Sequence, residues 1–247
     1  MWTRQQLKQN GMLNFKKNYW KSVLAALVLL FVGGGMGTTG SGSAYKKENW
    51  EDIMSGNYEI GGIDSITAAT LIGGIVLIGL LIVLIIAVVL DVFVLNPLEV
   101  GAQRYFVANH YQDQTELTEL AFGFKADYRN VVKTMFFRDL YVFLWSLLFV
   151  IPGIIKSYSY RMVPYLLTEH PDMEYNEALG LSQQMMNGNK WAAFVLDLSF
   201  IGWELLSAIT FGIVGIFYVN PYKFATDTEL YVALKETGQM ENPAPAF

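Results

Sequence analysis

The side chains best placed to do chemistry in this sequence are charges set among apolar runs. Asp91, Glu99, Arg104, Arg138, Asp139, Lys156, Arg161, Asp197, Glu204, Lys223 and Asp227 interrupt or flank stretches otherwise built of Leu, Ile, Val and aromatic residues. An ionised group at the centre of a membrane helix costs on the order of 2.5–3.5 kcal/mol on insertion scales, so it persists by pairing or by serving a site. Acids and bases are close to balanced, which points to pairing within a bundle. Arg138, Asp139, Asp197 and Glu204 are the expected structural pairs, with Arg161 and Lys223 as further basic partners. Asp197 and Glu204 stand seven residues apart, a spacing that puts both on one face of a helix.

Two Asn-Pro pairs, Asn96-Pro97 and Asn220-Pro221, carry a second possibility. Asn is a favoured N-cap, and Pro suits the first helical position because its missing N–H is not needed there. Each pair therefore reads as a helix break, as does Pro152. Asn220 follows a turn near 212–215 and would lie roughly 12 Å into a membrane at the helical rise. A helix start at that depth aims unpaired N–H groups at an anionic group. With Lys156, Arg161 and Lys223 it would form a pocket for a lipid headgroup. The other reading is a kink satisfied by neighbouring helices.

Other chemistry is hard to build. There is no cysteine, so disulfides and thiolate sites are excluded, and the two histidines, His110 and His170, fall in polar connecting segments. No zinc-binding His-Glu-x-x-His, phosphate-binding glycine loop or Gly-x-Ser-x-Gly occurs. We expect no catalytic residues, no metal, no cofactor and no enzymatic activity. A net charge of −5 without a basic stripe gives no nucleic-acid footprint.

The elements that would position these groups are membrane helices. Hydrophobic residues make up 53% and charged residues 16%, against about 25% charged in an ordinary soluble domain. Residues 1–21 hold five bases and no acid, with Thr3 and Gln6 spaced as a capping box, and read as a basic interfacial helix. Residues 22–45 and 65–90 carry no charge, and the second run exceeds the ~20 residues of a span. Apolar stretches at 140–155, 162–167, 192–202 and 205–222 complete six transmembrane helices, with tight turns near Pro152 and near 212–215. The expected organisation is an all-α bundle: a first hairpin over 22–108 with an extracellular loop at 36–67, an amphipathic segment and second hairpin over 109–168, and an amphipathic segment and third hairpin over 169–236. A disordered tail follows at 237–247. Basic residues near span ends, Arg104, Lys125, Arg129, Lys133 and Lys190, fall on the side of the N-terminus, which makes both termini cytoplasmic in the plasma membrane.

The hairpins resemble one another. They open at Asn18-Tyr19-Trp20-Lys21, Asn130-Val131-Val132-Lys133 and Asn189-Lys190-Trp191, and Lys156 takes in the middle closing helix the place of Asn96 and Asn220 in the others. Asn-Pro-Leu-Glu-Val-Gly at 96–101, Ile-Pro-Gly-Ile-Ile-Lys-Ser-Tyr-Ser-Tyr at 151–160, Asn-Glu-Ala-Leu-Gly-Leu-Ser-Gln-Gln-Met-Met at 176–186, Leu-Asp-Leu-Ser-Phe-Ile-Gly-Trp at 196–203 and Val-Asn-Pro-Tyr at 219–222 together resemble bacterial integral-membrane proteins of domain-of-unknown-function family 975. The resemblance covers nearly the whole chain and implies a plasma-membrane protein. It brings no activity and no catalytic residues.

Two functions are therefore expected. One is binding or moving an anionic or amphipathic ligand, a lipid or peptide, in an intramembrane polar pocket. The other is a membrane scaffold acting through the cytoplasmic amphipathic helices. Membrane lipids are the expected partners, with a membrane protein as a further possibility.

Overall fold

The structure, a computed structural model, describes residues 2–32 and 65–241. Most of the expected extracellular loop, and the end of the first apolar run, lie outside the described residues. Among the described residues every regular element is helical, as the long charge-free runs predict: α1 (Arg4–Lys17), α2 (Tyr19–Val32), α3 (Ser65–Leu90), α4 (Asn96–Tyr111), α5 (Tyr128–Leu148), α6 (Val150–Ser159), α7 (Val163–Glu169), α8 (Tyr175–Met185), α9 (Lys190–Leu198), α10 (Ile201–Ile209) and α11 (Asn220–Glu241). Among the described residues two helical runs are long and apolar enough to cross a bilayer, Gly73–Tyr111 and Lys190–Ile209. Of the other apolar runs, the first is described only to Val32, and the later ones are cut by charges or by turns. α5 carries Lys133, Arg138 and Asp139, and α6 and α7 are separated by a turn at 160–162.

The chain divides into two units. One is Met36–Asp91, whose described part is α3, an uninterrupted apolar helix with exposed side chains such as Leu77, Val83 and Ile86. The other holds the remaining helices and the core. There α4 is the central element, packed by α2, α5, α7 and α11. Its Tyr105 and Phe106 are buried, and the Tyr105 hydroxyl lies 3.4 Å from Ser22 Oγ of α2. Tyr165 of α7 stacks on Tyr231 of α11 with ring centroids 5.2 Å apart. A second cluster, including Val100, Val131, Met135, Leu167 and Leu179, joins α4, α5, α7 and α8.

The N-terminal helix forms as its sequence predicts. Thr3 caps it by accepting from the Gln6 N–H, and Phe15 is buried against α2 and α11. Lys8 reaches Ser199 O at 3.2 Å and lies 4.3 Å from the Phe200 ring centroid. Burial, and next the charge of Arg4, lower the pKa of its amine. The C-terminal helix runs to Glu241, past the point at 237 where a disordered tail was expected. Its last turns are tied down by Lys235, whose Nζ donates to Glu169 at 2.7 Å. Residues 242–247 lie outside the described residues.

Both Asn-Pro pairs differ from expectation. The chain neither stops nor restarts there. Each pair is preceded by one π-helical turn, Asp91–Leu95 and Gly215–Val219, and helical geometry passes through. The flanking residues Leu95 and Asn220 are themselves helical, so Asn is not an N-cap at either place. The reason lies in Pro, which removes one N–H and crowds the carbonyl four residues earlier. Those carbonyls are Phe93 O and Phe217 O, and each accepts from a tyrosine far away in sequence. Tyr128 OH donates to Phe93 O at 2.7 Å, and Tyr19 OH donates to Phe217 O at 3.1 Å. Pro152, by contrast, sits at a true break, inside the first turn of α6 after the extended residue Phe149. A hydrogen bond of this kind contributes about 1 kcal/mol net, so Tyr128→Phe and Tyr19→Phe should each lose about that much. The expected fall in melting temperature is about 2–4 °C for each. An unchanged melting temperature in both variants would show that the hydroxyls do not carry these bonds.

Candidate functional site

Two guanidinium clusters form the polar centre of the larger unit. In the first, Arg138 of α5 faces Glu99 of α4 in a fork, Nη1 to Oε1 at 2.8 Å and Nη2 to Oε2 at 3.0 Å. Its Nε donates to the neighbouring Asp139 at 2.8 Å, and Asn96 Nδ2 donates to the same carboxylate at 2.8 Å. The π turn before Pro97 thus ends at an Asn whose side chain is free to bind across to α5.

In the second cluster Arg161 sits in the turn between α6 and α7. It forks onto Asp197 of α9 at 2.8 and 2.9 Å, and its Nη2 also donates to Asp227 of α11 at 2.8 Å. Tyr158 OH adds a bond to Asp197 at 2.6 Å. Three segments therefore meet on one guanidinium, which Arg can serve because its donors lie in a rigid planar fork. The turn that presents Arg161 is held by Ser182 of α8, which donates to Ser159 O and accepts from Met162 N–H.

The clusters share a cavity of about 420 Å³, lined by Glu99, Gln103, Arg138, Asp139, Val142, Phe143, Ser157, Tyr160, Arg161, Pro164, Tyr165 and Asp227. Its lining combines charged and amide side chains with aromatic and aliphatic ones. Phe143 is exposed, whereas Gln103 and Tyr165 are buried.

Arg161 pairs with Asp197 and Lys223 with Glu204, the last at 3.4 Å. Asp139, expected to meet a base on a neighbouring helix, instead pairs with the adjacent Arg138 of its own helix, and the partner that reaches it from α4 is the uncharged Asn96. Asp197 and Glu204 do not share one helix face. A turn at 199–200 separates α9 from α10, and the two acids find different partners.

Of the expected ligand-binding residues, Arg161 lines the cavity. Lys156 Nζ lies over the rings of Trp145 and Tyr160, at 5.4 and 5.5 Å from their centroids. Lys223 is turned to Glu204. Asn220 Nδ2 donates to Gly215 O at 2.8 Å, closing the π turn on itself. No helix starts there to offer free N–H groups. Sequence reading did not single out Gln103 as a site residue. An amide inside an amphipathic helix gives no periodic or charge signal, and its role depends on neighbours from α5, α7 and α11.

A family model described as a protein of unknown function, DUF975, matches residues 75–238, about two thirds of the chain, and the chain belongs to that family. The matched stretch contains every residue that lines the cavity. No curated protein and no solved structure matches the chain.

Proposed function

We propose that this chain is a multi-pass protein of the plasma membrane that binds or moves an amphipathic ligand in the cavity between α4, α5, α7 and α11. It does so without covalent chemistry. In this reading six helices cross the bilayer as three repeated hairpins, with both termini cytoplasmic. The basic bias of residues 1–21 supports the orientation. The two apolar helical runs of spanning length support membrane insertion. Large apolar side chains exposed around the two later turns, among them Leu147, Phe149, Ile151, Ile209 and Phe211, fit a lipid surround. The matching π turns before Pro97 and Pro221, each served by a remote tyrosine hydroxyl, support a repeated unit.

The observation that carries the ligand reading is the cavity itself. Its lining combines charged groups with aromatic and aliphatic side chains, the composition of a small-molecule site. The scaffold alternative needs free apolar faces on the cytoplasmic segments. On α8 that face is used internally, through buried Ala178, Leu179 and Ser182. Residues 117–125 press their backbone onto α4.

The test is retention. Protein purified in mild detergent should carry a small amphiphile in native mass spectra. Val142→Trp, which fills the cavity from its α5 wall, should lose the adduct while leaving the melting temperature close to wild type. Spectra with no adduct in wild type, or with equal adducts in both, would remove this function.

A further inference from the structure

The N-terminal helix presents positive charge that no acid of the larger unit answers. Arg4 and Lys8 stand one turn apart on α1, and both line an open groove of about 950 Å³ between that helix, Ser199 and Tyr222. The lining holds no acidic side chain, and among the described residues neither base forms an ion pair. Like charges four residues apart on a helix repel. Burial, and next the charge of Arg4, lower the pKa of the Lys8 amine. One of its N–H groups goes to Ser199 O at 3.2 Å, which leaves two. Arg4 is exposed, with its guanidinium fork turned to no described acid.

The fold holds these bases in place. Gly11 meets α11 so closely that a Cβ there would lie 2.9 Å from Thr226 N, Asn14 donates to Glu229 at 2.6 Å, and Phe15 is buried. The groove is apolar at its other end, where Met12 and Leu13 follow Lys8 along α1. Leu13 is exposed, as are Leu198 and Ile201 on either side of Ser199. α1 joins α2 through Asn18 alone, so this apolar end lies about two turns from the start of the first apolar run. An anion bridging Arg4 and Lys8 would remove their repulsion and take up their free donors. An apolar tail would cover Met12 and Leu13. A glycerophospholipid has both parts in that order.

Resting on the membrane placement proposed above, and not on the cavity, we infer that the groove holds the phosphate of an anionic glycerophospholipid between Arg4 and Lys8, with an acyl chain along Met12 and Leu13. Gln5 and Gln9 of the same lining bring amide N–H groups to the other headgroup oxygens. Two bases without an acid favour phosphatidylglycerol over phosphatidylcholine, whose trimethylammonium they repel.

The full chain in mild detergent is given an equimolar mixture of dioleoyl phosphatidylglycerol and dioleoyl phosphatidylcholine, and native mass spectra read the retained lipid. Wild type should retain phosphatidylglycerol in preference. Arg4→Gln with Lys8→Gln should weaken that retention roughly 30-fold, the loss expected for two bases at an anionic surface. Lys16→Gln with Lys125→Gln removes the same charge at exposed positions outside the groove and should keep the preference. Should the first double variant not fold, Arg4→Gln alone should weaken retention about fivefold. Equal retention of the two lipids by wild type overturns the inference, as does equal loss in both double variants. Displacement of the lipid by an equal concentration of glycerol phosphate shows a free phosphate ester to be the ligand and overturns the lipid. Val142→Trp separates this groove from the cavity. Phosphatidylglycerol lost in Val142→Trp and kept in the Arg4 and Lys8 variant overturns the groove and keeps the cavity function. Phosphatidylglycerol lost only in the Arg4 and Lys8 variant, with Val142→Trp spectra like wild type, keeps the groove and removes the cavity function.

Discussion

Arg161→Met should lower the melting temperature in detergent by about 10 °C. Arg161 holds Asp197 and Asp227, from α9 and α11, against the turn between α6 and α7. Removing the cation leaves two carboxylates facing each other in a largely buried site. Breaking a buried pair in this way costs about 3–5 kcal/mol, and each kcal/mol moves the midpoint by about 2–4 °C in a chain of this size. The two acids should not be equivalent. Asp197 receives both arms of the fork and the Tyr158 hydroxyl, whereas Asp227 receives one arm. Asp197→Asn should therefore destabilise more than Asp227→Asn. Adding Asp197→Leu and Asp227→Leu to Arg161→Met should recover part of the loss, since no stranded charge remains. Thermal unfolding followed by size-exclusion chromatography measures all of these variants. A melting temperature for Arg161→Met within 2 °C of wild type would mean that solvent, not the two acids, satisfies Arg161.

The sequence shows which residues need partners more clearly than it shows the partners. Charges within apolar runs stand out, and Arg138, Arg161 and Lys223 each meet an acid already suspected of pairing. The Thr3 cap is legible too, because its determinants sit within one turn of chain. What escapes is anything that depends on a donor from elsewhere. Asn-Pro reads locally as a helix start, since nothing nearby can satisfy the carbonyl that Pro leaves behind. Tyr128 and Tyr19 can, from 35 and 198 residues away, so the helix continues through a π turn. The make-up of the cavity escapes for the same reason. Lys156, Arg161, Asn220 and Lys223 suggest a cationic pocket when counted along the chain. In three dimensions Lys156 and Lys223 turn to other groups, and Glu99 and Asp139 join the wall instead. The spacing of Asp197 and Glu204 fails because a turn at 199–200 separates them, and the intervening residues, Leu-Ser-Phe-Ile-Gly-Trp, hold no proline to announce it.

Gly101→Ala and Gly123→Ala should be nearly as damaging as loss of Arg161, for a reason unrelated to charge. Residues 117–125 cross α4 so closely that backbone meets backbone. A Cβ on Gly101 would lie 2.0 Å from Leu120 O, and one on Gly123 would lie 2.1 Å from Pro97 O. A carbonyl oxygen in a helix cannot swing aside as a side-chain tip can, so the whole segment must lift. Overpacking of this kind costs about 1–3 kcal/mol or more. The two changes act on one contact, so the double variant should lose clearly less than the sum of the single losses. Gly180→Ala is the contrasting case. Gly180 lies within α8 with open space around its Cβ position, and the same change there should gain about 0.5–1 kcal/mol through helix propensity. The effect on the cavity follows from Pro97, which stands between Asn96 and Glu99, the two α4 residues that hold the Asp139 and Arg138 side chains. Lifting the crossing segment disturbs that wall, so Gly123→Ala should weaken retention of the amphiphile as well as stability. Gly180→Ala should leave binding unchanged. If Gly101→Ala and Gly123→Ala melt with wild type while Gly180→Ala does not, the crossing is not the tight backbone contact described, and the α4 wall of the cavity must be held by α5 alone.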